Sequence, residues 1–322
     1  MTKWLRAAAA LACLVAAVSS VRAENYPSTL ITIIVPSTPG GVTDMLGRIL
    51  AKQFAADWGA EVVVENKPGA NNLIAAEYVA HQRGDGHTLF IGPETTFVVN
   101  PTLYAHLPYD FKDFTPITGL VTINHALLLN PAVAANNVKE LIALGKAKPG
   151  ELNYGTYGVG STGHLNMESF KTATAVNFVA VHYKGATPAL QDVIAGHIQM
   201  MFISVGSAVP QWQGDRVKFI AVGAPKRMKL LPEIPTISET VPGYVALSWF
   251  GLFGPAGMPP DVVAKINGEV RKVFADPSFQ KTFLDAQYFE SIVGSPEELT
   301  DRIRTEEPKW RKVIEDAHIT VE

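Results

Sequence analysis

Two loops in this 322-residue sequence have a composition suited to holding an anion. The first is Pro36-Ser37-Thr38-Pro39-Gly40-Gly41-Val42-Thr43-Asp44, and the second is Gly155-Thr156-Tyr157-Gly158-Val159-Gly160-Ser161-Thr162-Gly163. Each follows an apolar run and precedes residues at helical spacing. Each would therefore offer free N–H groups and the positive end of a helix dipole to a bound group. Glycine lets an oxygen come close to the backbone, and Ser or Thr hydroxyls add donors. Neither loop contains Lys or Arg, which suits a compact carboxylate better than a polyphosphate. Taken alone, either loop reads equally well as ordinary capping, with Thr43 or Ser161 serving its own helix. A pair of them, one in each strand–helix block and both at strand carboxyl ends, points to a shared anionic ligand.

Other residues are weighed against plainer readings. Asp44 fits dipole complementarity and capping better than direct contact with a ligand. Gly158, Gly160 and Gly163 match G-x-G-x-x-G, but the next strand, residues 178–182, lacks the acid that a dinucleotide site expects at its end. Val159 replaces the first glycine of a nucleophile elbow. Ser161 and His164 with a distant acid would make a serine hydrolase, but neighbours in sequence need not share a hydrogen bond. A histidine packed under the helix start is the simpler reading. No two of the eight histidines have the i, i+4 spacing of a helical zinc site, and no metal or cofactor is expected. Tyr183-Lys184-Gly185-Ala186-Thr187 forms a third rim element, where Lys184 is either a solvated turn residue or a charge at the cleft mouth. Residues 91–96, including Thr95, occupy the matching strand end in the first half. Trp249 and Phe250 read most simply as core aromatics.

These loops must be carried by strands and helices in alternation. Strands are expected at residues 30–35, 61–65 and 87–91, with helices at 43–58 and 71–82 between them. The rhythm restarts with strands at 126–130, 152–156, 178–182, 198–203 and 219–223, and helices at 138–148, 161–174 and 186–195. Such alternation argues for parallel sheets covered by helices. The last third is mostly helical (259–274, 277–286 and 296–317), each helix opening near a proline. The expected plan is two α/β lobes with a cleft between strand carboxyl ends. Residues 24–123 form the first lobe and 124–223 the second. Residues 224–322 return as a mostly helical segment of the first, so the chain crosses near 120–125 and 222–225.

The start of the chain reads as a secretory signal. Lys3 and Arg6 precede an uncharged apolar run from Ala7 to Val18, and Val21-Arg22-Ala23 fits a cleavage site before Glu24. An apolar run of about 12 residues is too short to span a bilayer. Removing residues 1–23 takes three of the 27 basic residues and none of the 30 acidic ones, moving the net charge from −3 to about −6. That balance disfavours nucleic acid and anionic membranes as partners. Cys13, the only cysteine, falls in this segment and only faintly resembles a lipidation site.

Read together, several segments resemble the tripartite tricarboxylate transporter substrate-binding proteins, the Bug family. They are Tyr26-Pro27, the stretch 35–48 with its Pro-Gly-Gly and Asp44, Val64-Glu65-Asn66-Lys67-Pro68-Gly69-Ala70, and Asp85-Gly86-His87-Thr88-Leu89. Asn100-Pro101 with Leu103-Tyr104, Leu152-Asn153-Tyr154-Gly155, Tyr183-Lys184-Gly185-Ala186, Pro232-Glu233-Ile234-Pro235-Thr236 and Trp249-Phe250-Gly251-Leu252 complete the set. The resemblance implies a type II periplasmic binding protein: two α/β lobes that close on a ligand cleft like a Venus flytrap, with a helical C-terminal segment. It implies a non-enzymatic, monomeric, periplasmic receptor that delivers a small organic carboxylate to integral membrane transporter subunits, or alternatively signals its capture to a sensor kinase. Carried over by position, it places Ser37, Thr38, Gly40, Gly41, Thr43 and Asp44 on one side of the ligand. Tyr157, Gly160, Ser161, Thr162 and His164 stand on the other. Thr95, Lys184 and Ser204 are added as rim candidates. Ser37-Thr38 makes the first loop more polar than the family's usual aromatic-containing one. Ser204-Val205-Gly206 stands where an Asp-Asn-Leu-like triplet is frequent, which removes a partner for a ligand ammonium. The expected ligand is a di- or tricarboxylate or aromatic acid without an amino group.

Overall fold

The computed structural model describes residues 26–321. The expected signal segment 1–23, with Cys13, and the cleavage point after Ala23 before Glu24, lie outside the described residues.

The first lobe starts with β1 (Ile31–Val35), α1 (Val42–Trp58), β2 (Val62–Asn66), α2 (Leu73–Ala80) and β3 (Thr88–Pro93). β1 pairs in parallel with β2 on one side and β3 on the other. Helices cover both faces, so Ile31, Ile33, Ile34 and Val35 are all buried, and an unbroken apolar run is what such a strand needs. α1 buries Leu46, Leu50 and Phe54, a stripe with i, i+4, i+8 spacing, against this sheet. Two short helices follow, α3 (Glu94–Val98) and α4 (Asn100–Leu103).

The 16-residue strand β4 (Phe114–Leu129) joins the lobes. Its first part, to Asn124, runs antiparallel to β9 (Leu247–Pro255), which in turn pairs with β3. From His125 onward it pairs instead with β7 (Met200–Ser204) and β8 (Lys218–Val222) of the second lobe. That lobe also holds α5 (Val138–Ala147), β5 (Asn153–Thr156), α6 (Thr162–Thr174), β6 (Val179–His182), α7 (Ala186–Ala195) and α8 (Val205–Gln213). β5 lies parallel between β6 and β7.

The return to the first lobe comes later than the expected crossing at 222–225. Val222 N–H donates to Pro235 O and Val222 bridges Thr236, so the turn-rich stretch folds back onto the second sheet. Met228, Leu231 and Ile234 pack beside Leu128 and Phe219, while Ile237, Tyr244 and Ala246 join Leu127 and Phe202. Residues 224–246 therefore stay with the second lobe, and the chain returns at Ala246–Leu247. Three backbone hydrogen bonds tie both crossings together: Gly223 N–H to His125 O (2.7 Å), His125 N–H to Ala246 O (3.1 Å) and Ala246 N–H to Gly223 O (2.9 Å). A Cβ on Gly223 would lie 2.2 Å from Ala246 O, so this close approach needs glycine.

After β9 come α9 (Pro260–Ala275), a short helical stretch over residues 277–285, β10 (Phe289–Ser291) on β4, and α10 (Pro296–Asp316). Val262, Ile266 and Val270 of α9 and Leu299, Ile303 and Ile314 of α10 pack into the first lobe. Among the described residues no helix is long and apolar enough to cross a membrane.

Candidate functional site

A cavity of about 220 Å³ lies where the lobes meet. The first lobe lines it with Pro93, Glu94 and Thr95 from the carboxyl end of β3, Ile123 from β4, and Ser248, Trp249 and Phe250 from β9. The second lobe adds Tyr157, Thr162, Ala186, Ile203, Ser204 and Ser207, and His125 stands at the crossing. The lining contains no Lys or Arg. Its polar groups are hydroxyls, one imidazole and one carboxyl, set between apolar and aromatic walls, the mix expected of a site for a small organic molecule.

Glu94 opens α3 and is only 2% exposed. Its Oε1 accepts from Thr162 Oγ1 at 3.3 Å, across the lobes, and its Oε2 accepts from the Trp249 N–H at 3.1 Å. Burial, with a smaller push from the Glu306 carboxylate, holds its pKa well above the usual carboxyl range. The Tyr157 hydroxyl is likewise raised, chiefly by burial. His125 Nε2 lies 3.1 Å from Ser248 Oγ, and its Nδ1 is buried without a hydrogen-bond partner. Burial pushes its pKa down to about 4, so the ring is neutral at ordinary pH. Asn72 Nδ2 donates to Thr95 Oγ1 (3.0 Å), and Ser204 Oγ donates to Ser207 Oγ (2.9 Å).

The second loop runs beside this cavity. Tyr157 and Thr162 reach it; Gly160, Ser161 and His164 do not line it. Gly160 donates its N–H to His164 Nδ1 (3.2 Å), while Ser161 Oγ is buried without a hydrogen-bond partner. His164 lies against His182, ring centroids 4.9 Å apart, and its Nε2 faces Glu168 at 3.9 Å. Glu168 is held by Tyr154 Oη and by Lys171 Nζ (2.8 Å). The Ser161–His164 hydrogen bond needed by the hydrolase alternative is not formed, because His164 points into the packing beneath the helix. Its pKa falls to about 4 through burial, with His182 as the next cause.

The first loop is braced from within. Asp44 Oδ2 accepts from Gly40 N–H and Arg48 Nε, both 2.9 Å, and Oδ1 accepts from Asn66 Nδ2 at 2.9 Å. These partners, with the Arg48 hydrogen bond foremost, lower its pKa to about 2. Thr43 Oγ1 donates to Ser37 Oγ (2.7 Å), and Gly41 N–H to Thr38 O (3.1 Å). None of Ser37, Thr38, Gly40, Gly41, Thr43 and Asp44 lines the cavity. Lys184 is exposed on the connection before Ala186.

Of the expected residues, the structure thus gathers Thr95, Tyr157, Thr162 and Ser204 around one cavity. Glu94, His125, Ser207 and Ser248 join them without having been foreseen. Glu94 had a sequence signal, as the only acidic residue between Asp85 and Asp110, following the apolar run of a strand. Trp249 and Phe250, expected simply as core aromatics, also face the cavity.

Comparison with known proteins gives a consistent result. The profile described as tripartite tricarboxylate transporter family receptor matches residues 46–319. A relative from Pseudomonas sp. (strain P51), the UPF0065 protein in the tcbD–tcbE intergenic region, is 32% identical over 308 residues, 95% of this chain and 91% of its own. Rpa4515 of R. palustris, solved with adipate, superposes with a TM-score of 0.82 at 34% identity, covering 92% of this chain and 99% of that one. MatC of Rhodopseudomonas palustris, solved with bound malate, gives 0.76 at 28% identity, covering 90% and 100%.

Proposed function

Because this chain belongs to the tripartite tricarboxylate transporter receptor family, we propose that it captures a small organic carboxylate by closure of its two lobes. It then delivers the ligand to integral membrane transporter subunits. The observation that carries this reading is the cavity wall: both lobes contribute hydroxyls to one small space, and no basic side chain enters it. An anion held there satisfies its oxygens only when both lobes are in place, which couples binding to closure. Adipate and malate in structurally similar relatives support the carboxylate class.

The ligand lacks an amino group. Ser204 occupies the cavity wall where an aspartate would serve a ligand ammonium, and it is bonded to Ser207. Ser37, Thr38, Gly40, Gly41 and Thr43 form the outer first-lobe rim, opposite Gly160 and Ser161, and reach the anion through water, while Asp44 and His164 brace the two loops from behind. Lys184 adds charge at the mouth. The protein is exported to the periplasm as a monomer, with cleavage after Ala23.

Calorimetry against succinate, adipate, malate, citrate, benzoate, glutamate and aspartate tests the ligand class. Binding of at least one amine-free acid at micromolar strength, about −8 kcal/mol, is expected. Preference for glutamate or aspartate would overturn the amine-free reading, and failure of every acid would overturn the carboxylate one. Amino-terminal sequencing of protein recovered from the periplasm is expected to begin at Glu24.

A further inference from the structure

Glu94 puts an acid into a cavity assigned to an anion. Its two oxygens each accept one hydrogen bond, from Thr162 Oγ1 and from the Trp249 N–H, and among the described residues no cation pairs with it. The groups that face it from neighbouring elements are few. α10 brings Arg302 and Glu306, bonded to each other at 3.2 Å, with Glu306 also accepting from Trp249 Nε1 at 2.6 Å. The second loop brings Tyr157, and β4 brings His125 across the cavity. The nearest guanidinium is therefore already engaged by another carboxylate.

An ionised Glu94 beside a ligand carboxylate would set two like charges together in a poorly solvated space. A neutral Glu94 supplies an O–H instead. Resting on the carboxylate reading above, we propose that Glu94 takes part in capture as a neutral acid, donating its O–H to a ligand carboxylate oxygen, so that the site binds a carboxylate together with one proton. The geometry says where the proton sits. Oε2 is occupied by a fixed backbone N–H, so the proton is carried on Oε1, which can donate to the ligand while accepting from Thr162. Burial and the Glu306 carboxylate both favour that protonated form.

The consequence is a proton-linked affinity. At pH below the pKa of Glu94 in the empty protein the proton is already present, and binding is insensitive to pH. Above it, binding one ligand takes one proton from solvent, and affinity falls about tenfold per pH unit.

The test is calorimetry of the purified protein with succinate, adipate and malate from about pH 5.5 to about pH 9, starting above the ordinary carboxyl range. Buffers of different ionisation enthalpy count the protons taken up. For the wild type, affinity that declines at the alkaline end with uptake of one proton is expected. Glu94→Gln, which keeps a donor but cannot titrate, is expected to bind several-fold more weakly at acid pH and to show no decline. Wild-type affinity constant across the range, with Glu94→Gln binding just as tightly, overturns the inference and leaves the carboxylate reading standing. Binding of glutamate that is lost in Glu94→Gln shows an ionised Glu94 paired with an ammonium, and overturns it too. If none of the acids binds at any pH, the carboxylate reading falls and takes this inference with it. Infrared difference spectra between wild type and Glu94→Gln, both with adipate bound, read the protonation state directly. A carboxylate rather than a carboxylic acid band for Glu94 in the complex overturns the inference, since the neutral form is required when the ligand is bound.

Discussion

Thr162 Oγ1 and Glu94 Oε1 stand 3.3 Å apart, although they belong to different lobes and are 68 residues apart in the chain. Thr162 is the first residue of α6 and Glu94 the first of α3, so two helix starts meet across the cavity. Other contacts bridge the lobes away from the crossing strands. Asn71 Nδ2 reaches Val159 O at a long 3.5 Å, and Leu165 of α6 packs in the cluster that holds Leu299 and Ile303 of α10.

Thr162→Val keeps the shape of the side chain and removes the hydroxyl. A buried hydrogen bond to an acid contributes about 1–2 kcal/mol, so carboxylate affinity is expected to fall about tenfold. Calorimetry with adipate gives the affinity. Unfolding by urea should shift by less than about 1 kcal/mol, because the bond joins lobes that are each built around their own core. An affinity unchanged by the substitution would show that the bond plays no part in the liganded form.

Asp44 acts on stability rather than on ligand contact. Its carboxylate gathers Gly40 N–H, Arg48 and Asn66, fixing the first loop to the end of β2. Asp44→Ala is expected to cost about 1–2 kcal/mol, because it removes one hydrogen bond from the half-buried Asn66 amide, which keeps its bond to Ser37 O, and one from the exposed Gly40 N–H. Its folded pKa, about 2, lies below the ordinary 3.8. The stability it provides is therefore complete above about pH 4 and lost as pH falls toward 2. Urea titrations of wild type and Asp44→Ala should converge over that acid window and differ by a constant amount above it.

His125 has the opposite charge logic. It is buried and neutral, with its folded pKa at about 4 against 6.5 for a free imidazole. The unfolded chain therefore binds a proton that the folded one refuses, and stability declines as pH falls from about 6.5 toward 4. The full effect is about 3 kcal/mol. His125→Gln should remove that part of the acid slope. His164, shifted the same way, leaves its own. Glu94 contributes with the reverse sign, its stabilisation being complete below the ordinary carboxyl pKa and lost as pH rises through its raised folded value. Melting curves at several pH values, taken as differences between each variant and the wild type, separate the contributions.

The regular part of this fold is visible in the sequence because buried parallel strands need unbroken apolar runs. The expected runs at residues 30–35 and 198–203 are largely apolar, and strands form there over residues 31–35 and 200–204. β9 and the first half of β4 are not visible in this way. Gly251 and Gly254 interrupt the former and Pro116 and Gly119 the latter, and the β4–β9 register shifts twice. The return crossing depends on Val222 meeting Thr236 in space, a pairing that no local pattern encodes. In the site, Thr95, Tyr157, Thr162 and Ser204 are legible as residues at strand ends. The state of Glu94 is not, since it is set by Trp249, Thr162 and α10, which arrive from three distant parts of the chain.

Gly160 provides the sharpest test of closure. It sits in the second loop with φ +72°, and a Cβ placed on it would come within 2.3 Å of Leu103 Cδ2 in the first lobe. Alanine there carries two penalties. The left-handed backbone costs about 1 kcal/mol in any conformation of the protein, whereas the clash with Leu103 exists only when the lobes are together. Gly160→Ala is therefore expected to lower carboxylate affinity well beyond its modest effect on melting temperature, by tenfold or more if the clash reaches about 1.4 kcal/mol. Small-angle scattering should show a more extended particle that no longer contracts on adding adipate. Leu103→Ala removes the opposing methyl groups, so the double variant should recover most of the lost affinity but not the backbone cost. A double-mutant cycle reads that coupling directly, since contacting residues give non-additive effects. Strict additivity of the two substitutions in binding would mean that Gly160 is needed only for the turn of its own loop.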